Sequence, residues 1–212
     1  MVGRTDQEQV AELRVWWEKY GKITLIGVVF LISGVVGGRV WMDFQESAKA
    51  RVSADYSQMM DELQRGDVEA AASRASALIE KNSDSGYAPL AALALAKIEA
   101  EKGELDNAKL RLQWAADHAD QVELKAIAKL RLAKVLLAQQ QVDAALAQLG
   151  GEVPESFRSS YAVVRGDAYA QKGDVAAART AYQTALDDQE LASQLRSLVQ
   201  MKIDNLGLVA AS

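Results

Sequence analysis

The sequence predicts an all-α protein in which a single N-terminal transmembrane helix precedes a solenoid of helical repeats. Three observations predict it. One uncharged run, Ile23 to Gly38, lies between two basic residues. The rest of the chain repeats a turn-and-alanine pattern at steps in the thirties, the mark of a stacked helix–turn–helix unit. The composition also suits helices: proline occurs only at Pro89 and Pro154, alanine is abundant, and strand formers are sparse outside the apolar run.

The run comes first. A spanning helix needs about 20 apolar residues. Here sixteen are uncharged, and the flanks make up the difference. Lys22 and Arg39 have long stems that lie along lipid while their charges reach the headgroups. Val40, Trp41 and Met42 extend the apolar stretch. Interface anchors stand on both sides, Trp16, Trp17 and Tyr20 before the run, Trp41 and Phe44 after it. Trp17 and Trp41 are about 36 Å apart along a helix, one for each interface of a bilayer whose core is about 30 Å thick. A cleaved signal is a weaker alternative. Its small-x-small site, Ala48-Lys49-Ala50, lies far beyond the run, and its leading region would be long and as acidic as it is basic. A soluble core helix is the third reading.

The segments follow as 1–21, an amphipathic stretch with Val10, Leu13, Trp16, Trp17 and Tyr20 on one side; 22–42, the span; 43–206, the repeat domain; and 207–212, a tail. Gly27, Gly34 and Gly38 share one face of the span, and Gly34 with Gly38 forms a GxxxG that lets a second spanning helix approach. Arg14, Lys19 and Lys22 on one side balance Arg39, Lys49 and Arg51 on the other, so charge counting leaves the topology open.

The chain carries 24 basic and 29 acidic residues. Residues 1–42 hold five of the bases and four of the acids, which leaves 19 and 25 for the rest, a net charge of −6. An acidic domain is a poor nucleic-acid binder, because phosphate backbones demand clustered cations. Cysteine is absent, which excludes disulfides, thiolate metal sites and cysteine nucleophiles.

Four stretches align: RGDVEAAASRASALIE (65–80), KGELDNAKLRLQWAAD (102–117), QQVDAALAQLGG (140–151) and KGDVAAARTAYQTALDD (172–188). Gly66, Gly103, Gln140 and Gly173 superpose at steps of 37, 37 and 33. In the last unit Gly166, Tyr169, Gly173, Ala178, Tyr182, Ala185 and Leu186 fall at the offsets of a tetratricopeptide repeat. Gly166 and Ala178 are small where two helices meet, Gly173 makes the turn, and the two tyrosines fill wider gaps. The second unit keeps Leu95, Ala96, Gly103, Ala108, Leu112 and Ala115 but has Glu99 at the usual tyrosine position. The third keeps Leu132, Ala133, Leu136 and Ala145, and its second helix stops short at Gly150-Gly151. A helix with no glycine or proline runs from the membrane through 43–65. Pro89 belongs in the first turn of a helix. Leu191, Leu195, Leu198, Val199, Ile203 and Leu206 form a final stripe that covers the open end.

No catalytic constellation appears. The only histidine, His118, sits in ADHADQVE, read as a solvated loop whose spacing does not converge on a metal. Trp114 reads as core packing. No cofactor is expected, and an enzyme is not. What remains is binding in the groove of the solenoid, lined by the first helix of each unit. The groove candidates are Tyr87, Leu93, Lys97, Lys129, Arg131, Lys134, Arg165 and Tyr169.

The order of QVAELRVWWEKYGK (9–22), an apolar span, RVWMDFQ (39–45), degenerate repeats and a final MKIDNL (201–206) resembles the YfgM family of bacterial inner-membrane proteins, ancillary subunits of the SecYEG translocon. The resemblance implies a single-pass protein with a cytoplasmic amino terminus and a periplasmic repeat domain. It also implies partners: the translocon, the periplasmic chaperone PpiD and client polypeptides handed from one to the other. The alternative function is a purely structural scaffold in another envelope complex, a secretion or division machinery, with no client binding.

Overall fold

The computed structural model describes the backbone of residues 6–188 and 191–209, with the side chains of 6–13, 41–48, 208–209 and about half of those in 23–40 outside the description. Two compact units emerge, Met1–Arg51 and Val52–Ser212.

The described residues of the first unit belong to α1 (Asp6–Arg65). Its aromatic cluster has a local logic. A Cβ on Gly21 would come within 2.9 Å of the Trp17 indole, so glycine is what lets that ring lie along the next turn. Trp16 tilts against both Trp17 and Tyr20, at 6.5 and 6.1 Å between ring centres. Among the described residues no helix is long and apolar enough to cross a membrane. The span expected at 22–42, with Gly38 and Trp41, falls largely on side chains outside the described residues.

The second unit continues from the end of α1 through α2 (Val68–Lys81), α3 (Tyr87–Glu101), α4 (Leu105–His118), α5 (Val122–Ala138), α6 (Val142–Gln148), a 3-10 turn (Glu155–Phe157), α7 (Arg158–Lys172), α8 (Val175–Leu186) and α9 (Ser193–Val209). From α2 onward each helix packs on the next, and α3 also touches α5, as α5 touches α7. The odd helices therefore form one layer and the even helices another, the arrangement of stacked helix–turn–helix repeats.

The four aligned turns share one conformation. Gly66, Gly103, Gln140 and Gly173 have φ of 81°, 82°, 61° and 82°. In each, the next N–H reaches back to a carbonyl five residues earlier: Asp67 to Glu62 (2.9 Å), Glu104 to Glu99 (2.8 Å), Gln141 to Leu136 (2.8 Å) and Asp174 to Tyr169 (2.9 Å). This is the Schellman closure of a helix, which needs a left-handed residue at the turn. Five residues past each turn stands an alanine, Ala71, Ala108, Ala145 or Ala178, and each is fully buried. A larger side chain there would push the paired helices apart.

Neighbouring repeats are laced on the outside. The residue before a turn bonds the acid three places after the previous turn: Lys102 to Glu69 (2.6 Å), Gln139 to Asp106 (2.9 Å) and Lys172 to Asp143 (2.7 Å). The acids are exposed, so each bond adds little stability. The matching position in the last repeat is Ala176, and the ladder ends there.

The short α6 is compensated by α7. Leu149 caps α6 and is fully buried. The Tyr161 hydroxyl donates to the Ala126 carbonyl (2.9 Å), and Arg165 donates to the Leu149 carbonyl (2.8 Å). Tyr161 and Val164 belong to the core shared by the first three repeats, whereas Ala162 and Val163 belong to a smaller core with α8 and α9.

That smaller core holds the final repeat. A Cβ on Gly166 would overlap the Tyr182 ring. Tyr182 is buried and its hydroxyl donates to Asp167 (2.7 Å), an oxygen that also accepts from Lys202 of α9. Burial first, and then the Asp167 bond, push the Tyr182 hydroxyl far above its ordinary range. Val199, Ile203 and Leu206 bury against the repeat, Ala178 and Ala185 are fully buried, and Tyr169 is half-buried beside them. Two expectations change. Leu198, placed in the packing stripe, is 44% exposed, because one residue from Val199 rotates it off the buried face. His118 closes α4 rather than lying in a loop, stacked on half-buried Trp114 at 4.2 Å with its Nδ1 donating to the Trp114 carbonyl (2.9 Å).

Two outcomes follow for thermal melting of the full chain. Gln140→Gly should stabilise the fold by about 0.5–1 kcal/mol and so raise the melting point, since it relieves a left-handed residue with a Cβ. Gly166→Val or Ala178→Arg should unfold the last repeat, costing about 1–3 kcal/mol or more; an unchanged melt for either would mean that the helix pairing is wrong.

Candidate functional site

The first helices of the first three repeats each turn one stripe toward a common hollow of about 520 Å³. The tail of α1 gives Tyr56, Met60, Leu63 and Gln64; α3 gives Leu90, Leu93, Ala94, Lys97, Ile98 and Glu101; α5 gives Leu124, Ile127 and Arg131. Spacings of three and four residues put each set on one helix face. A second hollow of about 440 Å³ adjoins it. It shares Lys97, Glu101 and Arg131 and adds Ala96, Ala100, Leu112, Lys134 and Val135. The floor of both is apolar and the rim is charged.

Three of the groove candidates, Lys97, Arg131 and Lys134, meet here, and Leu93 lies in the floor. Lys97 stands 3.7 Å from Glu101. Arg131 and Lys134 are exposed. Tyr87 lines neither hollow; its hydroxyl bonds Ser53 (3.1 Å) and its ring braces Tyr56 from 5.3 Å. Lys129 is half-buried and also lines neither. Arg165 is engaged by the Leu149 carbonyl. Reading the sequence missed Tyr56, Met60 and Leu63. The turn at Gly66 was the signal, since it makes 43–65 the first helix of the first repeat and its stripe part of the groove.

Two carboxylates, Glu62 and Glu99, are buried within the first two repeats. Glu62 and Glu99 each precede a turn by four residues and meet an arginine eight residues past it. The Arg74 guanidinium bonds both oxygens of Glu62 at 2.8–3.2 Å and holds that carboxyl below its usual range. Arg111 reaches Glu99 at only 3.4 Å. The other Glu99 oxygen is buried with no partner among the described residues, and burial pushes this carboxyl up. Elsewhere, Gly27 and Gly34 are exposed on α1, and an added Cβ on either meets nothing within 4 Å. Among the described residues no three acidic or histidine side chains stand close enough to share a metal. What the hollows offer is an apolar bed with charges that orient whatever lies on it.

Residues 14–208 match the tetratricopeptide repeat-like domain family. The chain is 30% identical over 202 residues to the ancillary SecYEG translocon subunit of Haemophilus influenzae, covering 95% of this chain and 97% of that protein. It is 30% identical over 204 residues to the protein of the same name in Escherichia coli, covering 96% and 97%. The chain belongs to the ancillary SecYEG translocon subunit family. In this family member, two segments that carried the sequence resemblance have structural roles. The doubled tryptophan with Gly21 is a ring packed over a glycine, and MKIDNL supplies Lys202, Ile203 and Leu206 to the closing helix. A third relative, from Neisseria gonorrhoeae, matches at 27% over 95% of this chain.

The two carboxylates should respond oppositely to pH. The lowered Glu62 pKa contributes stability above the unfolded value near 4.5, and that contribution disappears as pH falls through the folded value. The raised Glu99 pKa does the reverse: the fold loses stability as pH rises past about 4.5. Glu62→Gln should therefore melt below wild type at neutral pH, with the deficit closing in acid. Glu99→Gln should melt at or above wild type at neutral pH. Identical behaviour of the two variants across a pH series of melts would contradict this assignment.

Proposed function

We propose that the chain is a membrane-anchored adaptor of the bacterial inner membrane that works beside the SecYEG translocon by protein–protein binding. One observation carries the reading: relatives named for that translocon match along nearly their whole lengths, so the amino-terminal segment and the repeat domain are shared together. The apolar run in 22–42 supplies the anchor. Exposure of Leu25, Leu31 and Val35 supports a lipid-facing helix. The amino terminus is cytoplasmic in this reading and the repeat domain periplasmic. The paired hollows receive apolar stretches of newly translocated chains, which pass to periplasmic chaperones, with PpiD as the membrane-bound recipient. Binding and release suffice for that role, and no bond need be made or broken.

The test is co-purification of the full-length protein from mild detergent, beside a version with 22–42 replaced by an unrelated span. Translocon subunits and a periplasmic chaperone should accompany the native protein, and the translocon should be lost from the swapped one. Recovery of a division or other secretion complex in their place would favour the scaffold alternative and defeat this reading.

A further inference from the structure

The repeat domain is acidic, yet one helix on the hollow is not. Residues 43–212 carry 19 bases and 25 acids, whereas α5 holds Lys125, Lys129, Arg131 and Lys134 against Glu123 alone. Many cations elsewhere in the unit are engaged: Arg74, Lys102, Lys172 and Lys202 by carboxylates, Arg165 and Arg196 by carbonyls. Arg131 and Lys134 are exposed, face the hollows, and have no hydrogen-bond or ion-pair partner among the described residues. With Lys97 they set three cations around the second hollow against the single acid Glu101, and Lys97 and Arg131 also line the first.

We propose that the paired hollows bind an amphipathic polypeptide segment in which carboxylates flank the apolar residues. This rests on the adaptor reading and names the chemistry of what the adaptor holds. An apolar segment that lies over Leu93 and Ile127 in the first hollow and runs on over Ala96 and Ala100 in the second strips water from Arg131, which lines both, and from Lys134, which lines the second. Covering a cation without a partner is costly, and a carboxylate at the right place removes that cost. A basic segment would add like charges at close range, so the rim selects against it. Arg131 and Lys134 are three apart and share a helix face, roughly 5–6 Å between Cβ atoms. They therefore match two acids one helical turn apart on the incoming segment. The acidic surface around the hollows repels such a segment elsewhere, which confines it to this rim.

The experiment uses the full-length chain in nanodiscs of uncharged lipid. The probe is a fluorescein-labelled synthetic peptide with leucines at helical spacing and glutamates beside them. A second peptide has lysine for each glutamate. Polarisation should show the glutamate peptide binding about tenfold more tightly at low salt, with the gap closing as salt rises. Arg131→Glu with Lys134→Glu, both at exposed positions, should invert the preference without moving the melting point. Equal binding of the two peptides, or a preference that survives the charge reversal, overturns the acidic assignment and leaves the adaptor reading standing. No binding of either peptide removes the hollows as a polypeptide site, while co-purification with the translocon still decides the adaptor reading. Competition by anionic lipid vesicles that depends on Arg131 and Lys134 would overturn the proposal in favour of a lipid headgroup.

Discussion

The repeat domain depends on one constraint: the chain must reverse between two helices in two or three residues, and do so the same way each time. The left-handed residue at 66, 103, 140 and 173 and the backbone bond that follows it meet that constraint. Fixing the turn fixes the phase of both helices. Position five past the turn then always points at the partner helix, which is why it is a buried alanine in every repeat. The same phase brings the residue before each turn alongside the acid of the preceding repeat, and the outer ladder follows from it.

One difference between the repeats sits at a pair of facing positions. Four before and eight past the turn stand Glu62 with Arg74, Glu99 with Arg111, Leu136 with Gln148, and Tyr169 with Ala181. The first pair is closed by a multiply bonded guanidinium, and the second leaves an oxygen unpartnered. A carboxylate removed from water without full compensation weakens a fold, and Arg111, 40% exposed, compensates Glu99 only in part. The two Glu–Arg pairs each tie the first helix of a repeat to its own second helix, at some cost in stability for Glu99.

Much of this was legible in the sequence because it is local. A glycine at a fixed step and an alanine five places on are short-range patterns, and Gln140 could be recognised as a turn from its alignment alone. The ladder was not legible, since it joins residues 29 to 33 apart through ordinary exposed side chains. The hollow was only partly legible for a different reason. On the first helices, residues that pack inward and residues that line the hollow recur with the same helical period, so Lys129 and Arg131 look alike until neighbouring helices are in place. Leu198 and Val199 show the same limit on α9, where two adjacent leucine-like positions lie on either side of the buried boundary.

The residues that make the fold are thus small, apolar and repeated, and they sit at the turn and on the faces between helices. The exposed stripe of each first helix is free of that duty. Its composition can change without disturbing a single turn, and α5 shows how far it has changed: a strongly basic helix inside an acidic domain, with its rim cations left open. Catalysis would require groups from several helices to converge on one point with shifted pKa values. The shifted carboxyls, Glu62 and Glu99, are paired with arginines within their own repeat, and the Tyr56 hydroxyl in the first hollow, raised by burial and by Tyr87, has no acid or base partner converging on it among the described residues. A surface whose charges are spread along a groove, while its perturbed acids are used for internal pairing, is suited to recognising a length of chain.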